Sequence, residues 1–242
     1  FHNALKNFNK HGIETEGVRL NWPSMLARKD EVVTQTCSGV EYLMKKNEIE
    51  VFHGHGSFLS TKEIQVTKED GTQIQIESDK IIIATGSKPS TIQGVEIDKK
   101  RIITSTEALK LSEVPKKIVV IGGGIIGLEL GSVYSRLGSE VHVVEFLDRL
   151  IPSMDGSLGK EMLRTLKKQG IKFFLSHKVQ EVKCTKDDVL VRALNKNNEK
   201  VEFEAEMKYN RMVLYEASIL HMQNWKKGMF PTYDRINQVF FL

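Results

Sequence analysis

The amino-acid sequence predicts an α/β protein of one large or two ordinary domains, with short antiparallel strand runs on both sides of a central strand-helix-strand unit. Three observations carry that reading. The stretch Lys117–Glu145 (KIVVIGGGIIGLELGSVYSRLGSEVHVVE) reads as strand, glycine turn, helix, strand and acid. Short β-rich runs bounded by turn residues recur on both sides of it, over 63–77 and 179–203. The length of 242 residues allows one large or two ordinary domains.

Composition narrows the function classes. Hydrophobic residues make up 40% of the chain and charged residues 27%, an ordinary globular balance. The net charge of +4 is spread along the sequence without a long basic block, which argues against nucleic acid as a partner. No apolar run approaches the ~20 residues that cross a bilayer. No signal peptide is visible, although the first residue is Phe1 rather than Met. Cys37 and Cys184 stand in no metal or redox motif, and both are expected as buried or half-buried thiols in a reducing compartment.

In chain order, Phe1–Lys10 reads as the end of a helix closed by His11-Gly12, and Ile13–Val18 as extended. Asn21 is placed to cap a long helix with Pro23 in its first turn, where the missing N–H does no harm. Leu26, Val33, Cys37, Val40 and Met44 give that helix one apolar stripe. Ile49–Phe52 and Ser57–Ser60 are expected strands around His53-Gly54-His55-Gly56. Two histidines two apart could begin a metal site, but a third donor is missing nearby. The glycines are more telling, because they allow close backbone approach. Glu63–Lys68 and Thr72–Glu77 alternate in polarity across Asp70-Gly71, a hairpin signal. Lys80–Thr85 is an apolar strand running into Gly86, a second candidate ligand edge. A connecting segment follows over Pro89–Arg101, then a short helix over Thr106–Leu111, and Pro115 leads into the central stretch.

Lys117–Ile121 is a β-branched run too short for a helix, hence a buried parallel strand. Gly122, Gly124 and Gly127 then fall in the spacing G-x-G-x-x-G. In that motif the first glycine turns the chain, the second admits a pyrophosphate, and the third seats the helix on the strand. The helix start points unpaired N–H groups and the positive dipole end at the phosphate. Ile126, Leu130, Val133 and Leu137 are the expected sheet-facing stripe, and Gly138 the stop. Val141–Val144 is the second strand, and Glu145 ends it twenty-three positions after Gly122, where an acid binds a ribose 2′-hydroxyl. Strand, helix, second strand and acid agree on a dinucleotide site. Glu145 would repel a 2′-phosphate, the first cation after it is Arg149, and the third glycine is a true glycine, so NAD is favoured over NADP.

Ser157–Gln169 is the next expected helix, with Leu158, Met162, Leu163 and Leu166 inward and Gly170 closing it. Ile171–Leu175 supplies a third parallel strand. Val179–Cys184, Val189–Leu194 and Lys200–Phe203 read as antiparallel strands, with Asn197-Asn198 at one turn. Met207–Leu242 shows no clean period and no strand that would continue the fold.

The order GHGSF (Gly54–Phe58), IIIATGSKP (Ile81–Pro89) and then the glycine fingerprint resembles the flavoprotein disulfide reductases, and among them the dihydrolipoyl dehydrogenase family, over roughly Phe1–Glu206. The resemblance implies an α/β, FAD/NAD(P)-binding, Rossmann-like two-domain fold, incomplete in these residues, with a β-meander in each domain. Residues 1–111 would be part of the FAD domain, 112–206 the NAD domain, and 207–242 an unassigned tail. It implies FAD contacts at Gly56, Thr85, Gly86 and Ser87. It implies NAD pyrophosphate contacts at Gly122, Gly123, Gly124, Ile125, Ile126, Gly127, Leu128 and Glu129, a ribose ligand at Glu145, and a backbone contact to adenine at Val179. An aliphatic residue at Ile125 is the lipoamide dehydrogenase choice, where glutathione-reductase-like members place a tyrosine gate.

The implied activity is FAD-dependent oxidation of protein-bound dihydrolipoamide with hydride transfer to NAD. The implied setting is a homodimer serving the lipoyl domains of 2-oxoacid dehydrogenase complexes, in a bacterial cytoplasm or a mitochondrial matrix. The family's first glycine motif, its C-x-x-x-x-C redox centre, its later FAD motif and its dimerisation domain with the acid/base pair do not occur in these residues. No catalytic residue and no metal ligand is therefore assigned, and the chain alone is expected to bind NAD without oxidising a dithiol. Two other readings stay open: a non-catalytic NAD-binding fragment, or a different pyridine nucleotide oxidoreductase such as a mercuric or ferredoxin reductase relative.

Overall fold

A computed structural model of the chain describes residues 1–86, 89, 92, 94–185, 188–206 and 211–215. The elements run α1 (His2–Lys6), α2 (Trp22–Lys46), β1 (His55–Phe58), β2 (Glu63–Thr67), β3 (Gln73–Glu77), β4 (Ile102–Thr104), α3 (Ser105–Ala108), β5 (Lys117–Ile121), α4 (Ile125–Arg136), β6 (Glu140–Val144), α5 (Gly156–Lys168), β7 (Lys172–Phe174), β8 (Lys178–Cys184), β9 (Asp188–Leu194), β10 (Lys200–Glu206) and β11 (Arg211–Tyr215). They divide between a smaller compact unit built on Met25–Gly86 and a larger one built on Phe1–Ser24 with Ser87–Asn237.

The smaller unit holds an antiparallel meander in the order β1-β2-β3. Its second turn forms as its sequence dictates: the Asp70 carboxylate accepts the Thr72 N–H at 2.8 Å, and Gly71 takes φ +83°. Asn21 caps α2 by accepting the Ser24 N–H at 3.1 Å. Three expectations fail here. Ile49–Phe52 is not a strand; β1 begins at His55, where His55 pairs with Thr67 and the ladder to β2 starts. Lys80–Thr85 is not a strand either, because none of the described residues pairs with it; Ile82 is 92% exposed. The stripe on α2 is only partly covered: Leu26, Val40 and Met44 are half-buried, Val33 and Cys37 are exposed, and no residue of that helix is fully buried.

The larger unit is a parallel sheet in the order β4-β11-β5-β6-β7, covered on both faces. Successive strand residues point to opposite faces, which sorts them into two cores. Ile118, Val120, Val141 and Val143 join Leu128, Tyr134, Leu150 and Leu166 on the helical face. Val119, Ile121 and Val144 join Val179, Val189, Val191 and Phe203 beneath a second antiparallel meander, β10-β9-β8. Full burial of each such aliphatic side chain stabilises the fold by about 1.5–3 kcal/mol. The Tyr134 hydroxyl donates to the Ala108 carbonyl at 2.5 Å, and burial pushes its pKa up to about 12.

The β-α-β-α-β half-fold appears as expected, but two strands were not. β4 precedes α3, and β11, within the stretch expected to hold no strand, inserts between β4 and β5 with Val213 opposite both Ile102 and Val119. The helix faces also shift. On α4 the buried face is Gly127, Leu128, Gly131 and Tyr134, while Val133 is 45% exposed. Small residues there let the helix lie close to the sheet; of the expected stripe, Leu130 and Leu137 pack half-buried against the same core, Ile126 is half-buried, and Val133 is turned away. On α5 the buried residues are Gly159 and Leu166, and Leu158 and Met162 are exposed.

Candidate dinucleotide site

Parallel pairing of β5 with β6 places Ile121 opposite Val144, so the glycine turn and Glu145 leave the sheet side by side. Gly122 donates its N–H to the Val144 carbonyl at 2.9 Å and turns with φ +110°, a conformation that suits glycine. Gly124 is the N-cap of α4 and offers no side-chain cap. The first helical bond runs from the Leu128 N–H to the Gly124 carbonyl at 3.2 Å, which leaves the N–H groups of Ile125, Ile126 and Gly127 ahead of the ladder. Those donors, with the dipole of a twelve-residue helix behind them, fit an anionic pyrophosphate.

Glu145 is only 9% exposed, yet it is solvated by backbone. Its Oε2 accepts the Gly123 N–H at 2.5 Å and its Oε1 accepts the Leu147 N–H at 2.6 Å. Each carboxylate oxygen keeps lone-pair capacity for a ribose hydroxyl. Arg149, the nearest following cation in sequence, is engaged with the Pro152 carbonyl at 3.0 Å.

The loops after β6 and β7 are zipped together beneath this acid. Glu145 donates its N–H to the Phe174 carbonyl at 2.9 Å, Ser176 to Leu147 at 2.9 Å, and His177 to Glu145 at 2.8 Å. That zipper carries the chain to Val179 two residues later, whose side chain is buried in the core and whose backbone lies at a register shift of β8. The predicted residues Gly122–Glu129, Glu145 and Val179 thus all belong to the larger unit; Ile125 and Glu129 are exposed. Gly56, opposite Val66 on β1, and Thr85 and Gly86 belong to the smaller unit and are exposed; Ser87 lies outside the described residues.

Sequence reasoning missed Leu147 and the pair Leu150-Ile151, which ties back to the glycine loop through the Ile151 N–H and the Gly123 carbonyl at 2.8 Å. Main-chain donors leave no trace in residue identity. At the opposite end of β6, the bond to Lys172, helped by His142, holds the Glu140 carboxyl down to about 2. Burial lowers the pKa of His142, whose Nδ1 is buried without a partner. In the smaller unit an open cleft of about 1190 Å³ is lined by Glu50, Phe52, His53, His55, Lys68 and Asp70 among others. Among the described residues no group of three or more His, Cys, Asp or Glu could hold a metal ion.

The model of one protein family, the pyridine nucleotide-disulphide oxidoreductases, matches residues 3–212. Dihydrolipoyl dehydrogenase 1, mitochondrial, of Arabidopsis thaliana is 47% identical over 189 residues, 78% of this chain and 37% of that protein. The mitochondrial dihydrolipoyl dehydrogenase of Schizosaccharomyces pombe is 46% identical over 203 residues, 84% of this chain and 40% of that one. The chain therefore spans about two fifths of the length of the curated relatives it matches. Among solved structures, LpdA from Mycobacterium tuberculosis superposes with a TM-score of 0.74 at 22% identity, over 88% of this chain and 45% of its own, a likeness of fold.

Proposed function

Because this chain belongs to the pyridine nucleotide-disulphide oxidoreductase family, we propose that it holds NAD at Gly122–Glu129, Glu145 and Val179 as part of a dihydrolipoyl dehydrogenase. The observation that carries the reading is the doubly bonded Glu145 carboxylate beside an uncapped helix start. In this reading the α4 amides neutralise the pyrophosphate, Glu145 accepts the adenosine ribose hydroxyls, and the 177–179 segment flanks adenine. NAD, when bound, supplies the hydride acceptor; the protein contributes binding and orientation.

Residues 1–111 would serve the flavin side through Gly56, Thr85, Gly86 and Ser87 and 112–206 the nucleotide; of 207–242, β11 joins the sheet beside β5 and the rest takes no assigned role. The exposed positions of Gly56, Thr85 and Gly86 fit the rim of a flavin site. The sequence contains one G-x-G-x-x-G only, so the flavin pyrophosphate has no second glycine loop here. The whole enzyme would oxidise dihydrolipoamide on the lipoyl domains of 2-oxoacid dehydrogenase complexes, as a homodimer. Its compartment would be the mitochondrial matrix or a bacterial cytoplasm. Cys37 and Cys184 lie in different compact units and form no C-x-x-x-x-C pair, so this chain alone has no dithiol relay.

The test is calorimetric titration of the purified chain with NAD, beside an absorbance scan for flavin and an assay with dihydrolipoamide and NAD. One NAD site, no stoichiometric flavin band and no NADH formation are expected. Absence of NAD binding would overturn the assignment of the site; NADH formation would overturn the view that the chain carries no dithiol relay.

A further inference from the structure

We propose that Ile151 is a positioning residue for the nucleotide site, a proposal that rests on the NAD reading above: its left-handed backbone, held by burial of its own side chain, clamps Gly123 and aims the glycine loop before nucleotide arrives. Ile151 has φ +42°. A β-branched residue there is an outlier, and a residue preceding proline, as Ile151 precedes Pro152, is pushed toward extended backbone instead. Such a conformation persists only where the surroundings over-determine it, and it marks sites that need fixed geometry.

The surroundings are specific. The Ile151 side chain is 4% exposed and Leu150 is 1% exposed, both in the helical-face core. The Leu150 carbonyl lies so close to α5 that a Cβ on Gly159 would come within 2.7 Å of it. On the other side, a Cβ on Gly123 would come within 2.7 Å of the Leu150 side chain. Between these contacts the Ile151 N–H reaches the Gly123 carbonyl at 2.8 Å, while the Gly123 N–H reaches Glu145 at 2.5 Å. Gly123 is therefore held at both ends.

The consequence follows from peptide planarity. The Gly123 carbonyl and the Gly124 N–H share one rigid plane and point opposite ways. Fixing the carbonyl against Ile151 aims the Gly124 N–H away from it, toward the open start of α4. The positive φ sets the angle between the Leu150–Ile151 peptide and the buried Ile151 side chain and following Pro152. With that side chain and Pro152 anchored, relaxation to negative φ would turn the 150–151 peptide instead and take its N–H off the Gly123 carbonyl. The Gly123–Gly124 plane would then be free to rotate, and the Glu145 tether on the same residue would slacken. Ile151 thus acts on the nucleotide through Gly123 without touching it.

The experiment compares Ile151→Ala, Ile151→Val and Ile171→Ala in the full chain, reading melting temperature, NAD affinity by calorimetry and amide hydrogen exchange at Gly123. Alanine at 151 keeps the strain of a Cβ in the left-handed region but loses the anchor that offsets it. Ile171, 3% exposed in the same core, is a matched deletion away from the clamp. Ile151→Ala is expected to weaken NAD about tenfold and to speed Gly123 exchange about tenfold, each the equivalent of one decade in an equilibrium constant. Ile171→Ala should lower the melting temperature comparably without either change, and Ile151→Val should restore most of the affinity. If Ile151→Ala and Ile171→Ala behave alike, Ile151 is core and nothing more, and the proposal falls. A wild-type chain that binds no NAD would overturn the nucleotide reading instead, and Gly123 exchange in the same three variants would still decide the clamp.

Discussion

Glu145→Gln is the perturbation that separates recognition from packing at this site. Glutamine has nearly the volume of glutamate, so the buried pocket is not emptied. The carboxylate spends one acceptor site per oxygen on the Gly123 and Leu147 N–H groups, at 2.5 and 2.6 Å, and keeps one per oxygen for ribose. Glutamine supplies a single oxygen and turns its NH₂ toward the other backbone donor. One charge-assisted bond to ribose is lost, a cost of about 1.5–3 kcal/mol, or roughly 10–150-fold in NAD affinity. The backbone donor left facing the NH₂ costs about 1–3 kcal/mol of stability. NADPH should change far less, because the repulsion of its 2′-phosphate disappears with the charge. Calorimetric titration of wild type and variant with both nucleotides, beside thermal melts, measures all three. NAD affinity retained within about threefold would remove Glu145 from the site, whatever happened to stability.

Other outcomes follow from the same geometry. Gly124 has φ −83° and ψ −176°, which valine adopts without strain, so Gly124→Val should keep the circular dichroism spectrum while abolishing nucleotide binding; a valine variant that still binds NAD would show that the glycines serve only as a turn. Glu145→Arg should weaken NAD and improve NADPH in paired titrations, at a cost in melting temperature from the two stranded N–H donors; an unchanged preference contradicts the assignment. Because His142 is held below its ordinary value, chiefly by burial, the unfolded chain takes its proton first; stability is whole above about pH 6.5 and falls as pH drops through that value toward the folded-state pKa. Glu140, lowered from 4.5 to about 2, contributes stability that is whole above 4.5 and is lost only as pH falls toward 2. Melts of wild type and His142→Leu between pH 8 and 5 should show the slope in the first and a flatter profile in the second. Ile82, 92% exposed in an apolar unpaired run, makes the chain prone to self-association; Ile82→Lys should reduce light scattering on warming and leave NAD affinity alone.

How much of this was legible in the sequence depended on what each feature is made of. The β5-α4-β6 unit and Glu145 were readable because glycine spacing, β-branched runs and a terminal acid are properties of residue identity. Both meanders were readable from alternation and from Asp70-Gly71 and Asn197-Asn198. The faces of α4 were not, since the period favoured bulky residues while Gly127 and Gly131 make the closest approach. The apolar run at Lys80–Thr85 looks like core by composition, but burial needs a partner, and among the described residues no strand pairs with it. The α2 stripe is half-buried at Leu26, Val40 and Met44 and exposed at Val33 and Cys37. RMVLY was passed over as part of an aperiodic tail; a five-residue parallel strand is defined by the neighbours that pair with it, here β4 and β5. Ile151 was invisible for a stronger reason: an isoleucine before proline predicts the opposite backbone.

The central claim is that this chain carries an NAD site at the edge formed by the glycine loop and Glu145. Amide chemical-shift mapping of the isotopically labelled chain during an NAD titration tests it residue by residue. The predicted result is saturable shifts concentrated at Gly122–Gly127, Glu145–Leu147 and His177–Val179, with Gly54–Phe58 unmoved. Shifts centred on Gly54–Phe58, or no saturable shifts at Gly122–Gly127, would contradict it.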